Sequence, residues 1–171
     1  MSEVRPNVRG RMLALQGIKQ AIADTDTGHG FRFVTAGSGA LWVAALDEQL
    51  WRSLGADYKR LRDAEAPAVH GFVLVRNAIM HGAIVVTQDG LTAPLIFPIV
   101  GGPQWVRLNK LLEQWEPDNL SKPWVQQRLQ SYREHLAGRG LGTPLRAVVT
   151  FFERLERADW EPENYGRSEQ A

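Results

Sequence analysis

A mainly α-helical, up-and-down bundle of about five to six helices with one inserted β-hairpin near residues 83–98 is the fold class this sequence predicts. Three observations carry that prediction. Apolar residues recur along most of the chain at the three- and four-residue spacing that puts them on one face of a helix. Proline and glycine punctuate the periodic stretches, with Pro67, Gly82, Pro123, Gly138 and Pro144 standing where helices should start or stop. One short β-branched run, Ala83 to Thr87, is followed by Asp89-Gly90, a pair suited to a tight turn, and then by Leu95-Ile96-Phe97.

Residues 1–10 are polar, contain Pro6 and Gly10, and read as a loose arm. Met12, Leu13, Leu15, Ile18, Ala21 and Ile22 define a first helix, closed by the loop Asp24 to Gly30. Phe31 to Thr35 reads as extended. Gly37-Ser38-Gly39 opens a long second helix with Val43, Leu46, Leu50, Leu54 and Leu61 on one broad face. It should end before Pro67, because the residue preceding a proline is pushed out of the helical region. A third helix occupies Ala68 to His81, with Gly82 just past its end, where a left-handed residue is common. In the hairpin that follows, Pro94 and Pro98 restrict the second strand to a sheet edge. Gly101-Gly102-Pro103 ends it, and Trp105, Leu108, Leu111, Leu112 and Trp115 mark a short helix. Two further helices are bounded by Ser121 before Pro123 with Gly138, and by Thr143 before Pro144 with Ala158. The last faces inward through Leu145, Val148, Val149, Phe152 and Leu155. Residues 11–160 thus read as one domain and 161–171 as a polar, frayed tail.

Composition narrows the classes of function. A chain of 171 residues, 44% apolar, can bury one real core. A net charge of +1 exerts no global pull toward nucleic acid or anionic membrane, so any such contact must be local. The absence of Cys excludes disulfides, thiol nucleophiles and Cys-based zinc sites. The opening Met1-Ser2-Glu3-Val4-Arg5-Pro6 lacks the apolar core of a signal peptide, and no run has the roughly 18 apolar residues of a membrane span. A soluble cytoplasmic protein without a membrane partner is the expectation. Four scattered His without paired ligand spacing make a metal site improbable, and no cofactor loop is present, so no metal or cofactor is expected.

The chemistry concentrates in Arg76-Asn77-Ala78-Ile79-Met80-His81-Gly82. At about 100° per residue, His70, Leu74, Asn77 and His81 fall on one narrow side of the third helix, whereas Arg76 falls among Val69, Phe72, Val73 and Met80. A guanidinium cannot shed its charge, so on an apolar stripe it must meet an acid, the helix end, a partner surface or a ligand anion. His81 stands in the last turn, where the carbonyl end of the helix dipole favours imidazolium and allows proton exchange near neutral pH. Asn77, one turn earlier, is placed to hold a phosphate or water or to fix the imidazole tautomer. An Arg for phosphoryl oxygens and a His for protons are sufficient in kind for metal-independent RNA cleavage, in which the ribose 2′-hydroxyl is the nucleophile.

This segment resembles the motif of the HEPN superfamily (higher eukaryotes and prokaryotes nucleotide-binding domain): an Arg, four to six residues and a His, often with a polar residue directly after the Arg. The resemblance covers residues 40–82, with the motif near the end of a middle helix that follows a long one. It implies a homodimer in which two Arg and His pairs share a cleft, and a ribonuclease of a toxin-antitoxin or defence system, with RNA as substrate and an antitoxin or other protein as possible partner. Catalysis would then fall to Arg76, His81 and Asn77. The alternative within the same resemblance is a non-catalytic module that binds a protein or a nucleotide. In one branch of the family a modified Tyr stands two places after the His; here that place is Ala83, which argues against such regulation.

Each feature also has an ordinary reading. For Arg76 it is an ion pair with an acid of the preceding helix, with Asp47 and Glu48 as the candidates, and such an acid would orient it for catalysis as well. For His81 it is a bond to the last-turn carbonyls, and for Asn77 a helix–helix bond. His70 reads as solvated or capping, His29 as an exposed loop residue and His135 as a surface group. Arg128 and His135 repeat the motif spacing, but Gln127, Arg128, Gln130 and Arg133 read as a solvated face, as does Lys59 to Arg62. The six Trp are assigned to core or interface packing.

Overall fold

The computed structural model describes residues 7–27, 32–87 and 103–165. Helix α1 spans Val8–Thr27, α2 Arg32–Glu65, α3 Ala68–Met80, α4 Leu108–Leu112, α5 Pro123–His135 and α6 Gly142–Arg157. Strands β1 (Val86–Thr87) and β2 (Gln104–Trp105) lie between α3 and α4, and a 3₁₀ turn, Pro162–Asn164, follows α6. The chain is a mainly helical bundle with one small antiparallel strand pair. Helix α1 packs along α2, α2 along α3, α3 along α5, and α1 also meets α6. No helix among the described residues is long and apolar enough to cross a membrane.

Helix α1 begins where Asn7 Oδ1 accepts a bond from Gly10 N at 2.9 Å, satisfying one of the free donors of the first turn. Ala14, Leu15, Ile18 and Ala21 are buried on one face. Gly17 is needed there, because a Cβ would stand 2.5 Å from Nε1 of Trp42 on α2.

Helix α2 begins at Arg32, so the expected extended segment Phe31 to Thr35 is helical over its described part. Thr35, Ala36 and Ala40 are buried, so tertiary packing overrides the weak helix propensity of Thr there. The single long helix expected to reach Pro67 is broken at Gly55, whose φ of 61° and ψ of −130° only glycine adopts readily. The break turns the chain so that Tyr58 Oη donates to Asp47 Oδ1 at 2.8 Å.

Helix α3 meets α5 at close range. A Cβ on Gly71 would lie 2.8 Å from Leu136 Cδ1 and 3.1 Å from Tyr132 Cα. Ser131 Oγ accepts from Gly71 N at 2.9 Å and donates to Pro67 O at 2.6 Å, so the α5 hydroxyl is inserted into the first turn of α3. At the other end, Gly82 takes a φ of 81°. Gly82 N donates to Ile79 O and Ala83 N to Ala78 O, the paired bonds of a Schellman cap.

The strand pair departs from the expected hairpin in its second half. Val86 pairs with Trp105 and Thr87 with Gln104, so the partner of β1 is a segment that was expected to open a helix. The turn Asp89-Gly90 and the strand Leu95-Ile96-Phe97 lie outside the described residues. Trp105 explains the register: it is fully buried, edge-on to Phe72 with ring centres 5.6 Å apart. Gly138 N donates to its carbonyl. Beyond α6, Trp160 is buried, and within the expected polar tail the partly buried Tyr165 packs against the core, 5.7 Å from Phe151.

Candidate functional site

The site is assembled at the C-terminal end of α3, where the helix runs past the core. Val69, Phe72 and Val73 on the Arg76 stripe are buried, but Met80 is 72% exposed, because the stripe leaves the bundle in its last turn. Arg76 is accordingly half-buried rather than buried. Its Nη1 lies 3.8 Å from Glu48 Oε2, and its covered Nε has no hydrogen-bond partner among the described residues. Glu48 also accepts from Arg52, so the pair is long, shared and partly solvated, a geometry worth at most about 1 kcal/mol.

Of the two acid candidates, Glu48 therefore faces Arg76 and Asp47 does not. Asp47 is buried and binds Arg62, with Nη1 of Arg62 3.0 Å from its Oδ1. Within Lys59 to Arg62, expected as a solvated face, Lys59 and Arg60 are exposed but Arg62 is buried. His70, expected to be solvated or capping, is buried too, and its Nε2 lies 2.7 Å from Asp63 Oδ1. Burial and the Arg62 charge push the His70 pKa down, against the opposing pull of Asp63. Burial works against the charge of Asp63, but bonds to His70 and Arg62 outweigh it and hold the carboxyl below its usual value.

The expected polar stripe does line one surface. Leu74, Asn77 and His81 border a hollow of about 160 Å³, closed by Trp115, Asp118, Trp124 and Arg128. The His81 ring is stacked on Trp115, ring centres 5.5 Å apart and planes 16° off parallel. Among the described residues neither the imidazole nor the Asn77 amide makes a hydrogen bond, so the donors and acceptors of both remain available. Arg76 opens instead on a second, shallower hollow of about 590 Å³ between α2 and α3, bordered by Leu41, Trp42, Glu48 and Met80. Asn77 lines both hollows and is the link between Arg76 and His81.

No family model, curated protein or solved structure matches the chain.

The site also contains residues that the sequence reading set aside. Arg128 is half-buried, not solvated, and burial followed by the nearby Arg76 charge lowers its pKa. Its neighbours Val125, Leu129 and Tyr132 on α5 are buried, and Arg128 falls about 60° from Val125 in projection, at the edge of that arc. The projection that singled out Arg76 would have found it. His135, the other half of the repeated spacing, is not part of either hollow; it lies 3.9 Å from Glu134. Of the six Trp, Trp105 and Trp160 are core residues, whereas Trp42, Trp51 and Trp124 are 41%, 53% and 51% exposed. His29 lies outside the described residues.

Proposed function

We propose that the chain is an HEPN-like, metal-independent endoribonuclease of the kind found in toxin-antitoxin or defence systems. The observation that carries the reading is that Asn77, its amide unbonded among the described residues, lines both the hollow that Arg76 borders and the hollow that the His81 imidazole borders. In the reaction the ribose 2′-oxygen bonds to phosphorus, the P–O5′ bond breaks, and a 2′,3′-cyclic phosphate and a 5′-hydroxyl result. Arg76 stabilises the charge on the phosphoryl oxygens, His81 accepts or donates the proton in transit, and Asn77 positions the substrate or the ring.

A homodimer belongs to this reading. The hollow around Arg76 is rimmed by Leu41 and Trp42, 40% and 41% exposed, together with Met80, an apolar surface suited to a second copy. Pairing two such faces would bring a second Arg76 and a second Asn77 to the cleft.

The test is cleavage of single-stranded RNA by the wild type, His81→Ala and Arg76→Ala. Both side chains are partly or largely exposed and weakly tied, so each variant should keep its thermal midpoint while losing cleavage. If the wild type cuts no RNA, the reading fails.

A second reading, a non-catalytic nucleotide- or protein-binding module, is favoured by the Trp115 stack over His81 and by the opening of Arg76 and His81 into separate hollows. The pH–rate profile separates the two. An enzyme using His81 has a rate that titrates, whereas binding through Arg76 changes little near neutral pH.

A further inference from the structure

The hollow at the end of α3 holds a cation that the proposed chemistry does not need. Among the described residues the half-buried Arg128 guanidinium makes no hydrogen bond or ion pair, and Asp47 acts on it less strongly than Arg76 does. It cannot discharge, and its charge and that of Arg76 act on each other. The carboxylate paired with Arg76 is Glu48, at 3.8 Å and shared with Arg52, and Asp118 shares the lining with Arg128 without an ion pair between them, so the positive charge at this end of the bundle is only partly compensated. A bound anion would relieve it.

The lining narrows the anion. A volume of about 160 Å³ holds one small group, a phosphate or a single ring, but not a whole nucleotide, and the Arg128 guanidinium on its lining favours the phosphate. With the phosphate inside, the base lies outside, and at the rim the Trp124 indole is 51% exposed. Lys122 Nζ, 5.8 Å from the centre of that ring, adds a cation at the same rim. The carboxylate of Asp118, on the lining as well, repels further phosphates but can accept a ribose hydroxyl.

We infer that this hollow is a subsite for one nucleotide of single-stranded RNA, with Arg128 receiving its phosphate and Trp124 stacking its base. The identity of the polymer rests on the ribonuclease reading above. Binding itself requires no turnover, and Arg128 acts here as a binding and positioning residue.

The test titrates the whole chain with 5′-AMP, which has phosphate, ribose and base but no internucleotide bond to cleave. Inorganic phosphate, adenosine and ATP are titrated in parallel, and tryptophan fluorescence is the readout. Saturable quenching by AMP is expected, with weaker binding of phosphate or adenosine alone and no gain for ATP. Arg128→Gln and Trp124→Ala should each weaken AMP binding roughly tenfold or more and raise the KM for RNA, with the thermal midpoint kept. The inference is overturned if AMP gives no saturable response, or if both variants bind within twofold of wild type. Phosphate binding as tightly as AMP, indifferent to Trp124→Ala, also overturns it. If RNA is cut and Arg128→Gln leaves KM unchanged, the subsite fails while the ribonuclease stands. If no RNA is cut but AMP binding depends on Arg128 and Trp124, the reverse holds.

Discussion

Arg62 reaches back to Asp47 across fifteen residues of α2, Nη1 to Oδ1 at 3.0 Å. In an unbroken helix the two would stand about 22 Å apart along the axis, beyond the reach of any side chain. The turn at Gly55 closes that distance, and Tyr58 completes the group by donating to the same carboxylate. Burial tends to discharge Arg62, but Asp47 and Asp63 more than offset this and raise its pKa.

Two adjacent acids should therefore behave differently. Asp47→Ala leaves a buried guanidinium without its main counter-ion and should cost about 3–5 kcal/mol in urea denaturation. Glu48→Ala removes only a partly solvated pair and should change stability by less than about 1 kcal/mol. Equal losses would show that the two acids are misassigned.

Gly55→Ala tests the break itself. A Cβ there would touch nothing within 4 Å, so the expected loss of about 1–3 kcal/mol is entirely torsional. Gly140 is equally open and has no positive φ, so Gly140→Ala should be near neutral and serves as the control. Thermal melts of the two variants side by side provide the comparison.

Ser131→Ala removes the hydroxyl that joins Gly71 N to Pro67 O and α3 to α5. Its expected cost is about 1–2 kcal/mol. Hydrogen exchange should show the loss first at the Gly71 amide.

Stability should fall on mild acidification because of His70. Its folded pKa lies below the ordinary 6.5, so between those values the unfolded chain holds the extra proton and stability rises with pH. The contribution is complete above about 6.5 and is lost as pH drops toward the folded value. Asp63, also depressed, contributes above its ordinary 3.8 and loses that contribution as pH falls through its folded pKa. Denaturation measured across this range should have a positive slope below pH 6.5 that His70→Gln flattens; an unchanged slope would exclude His70 as its source.

Much of the helical layout was legible in the sequence because its causes are local. Gly82 and Gly138 sit at positive φ beyond α3 and α5, Pro123 starts α5, and Leu145, Val148, Val149, Phe152 and Leu155 are buried on α6, all as the punctuation and periodicity require. The stripe of Leu74, Asn77 and His81 was legible for the same reason, since azimuth on a helix depends only on residue spacing. The tertiary structure alone decided what each face meets. It set Glu48 rather than Asp47 against Arg76, buried His70 on Asp63, paired β1 with Trp105 and drew Arg128 toward Arg76. Those outcomes turn on where a neighbouring element lies, and the backbone at Gly55 redirects the C-terminal part of α2 with no change in the apolar pattern around it.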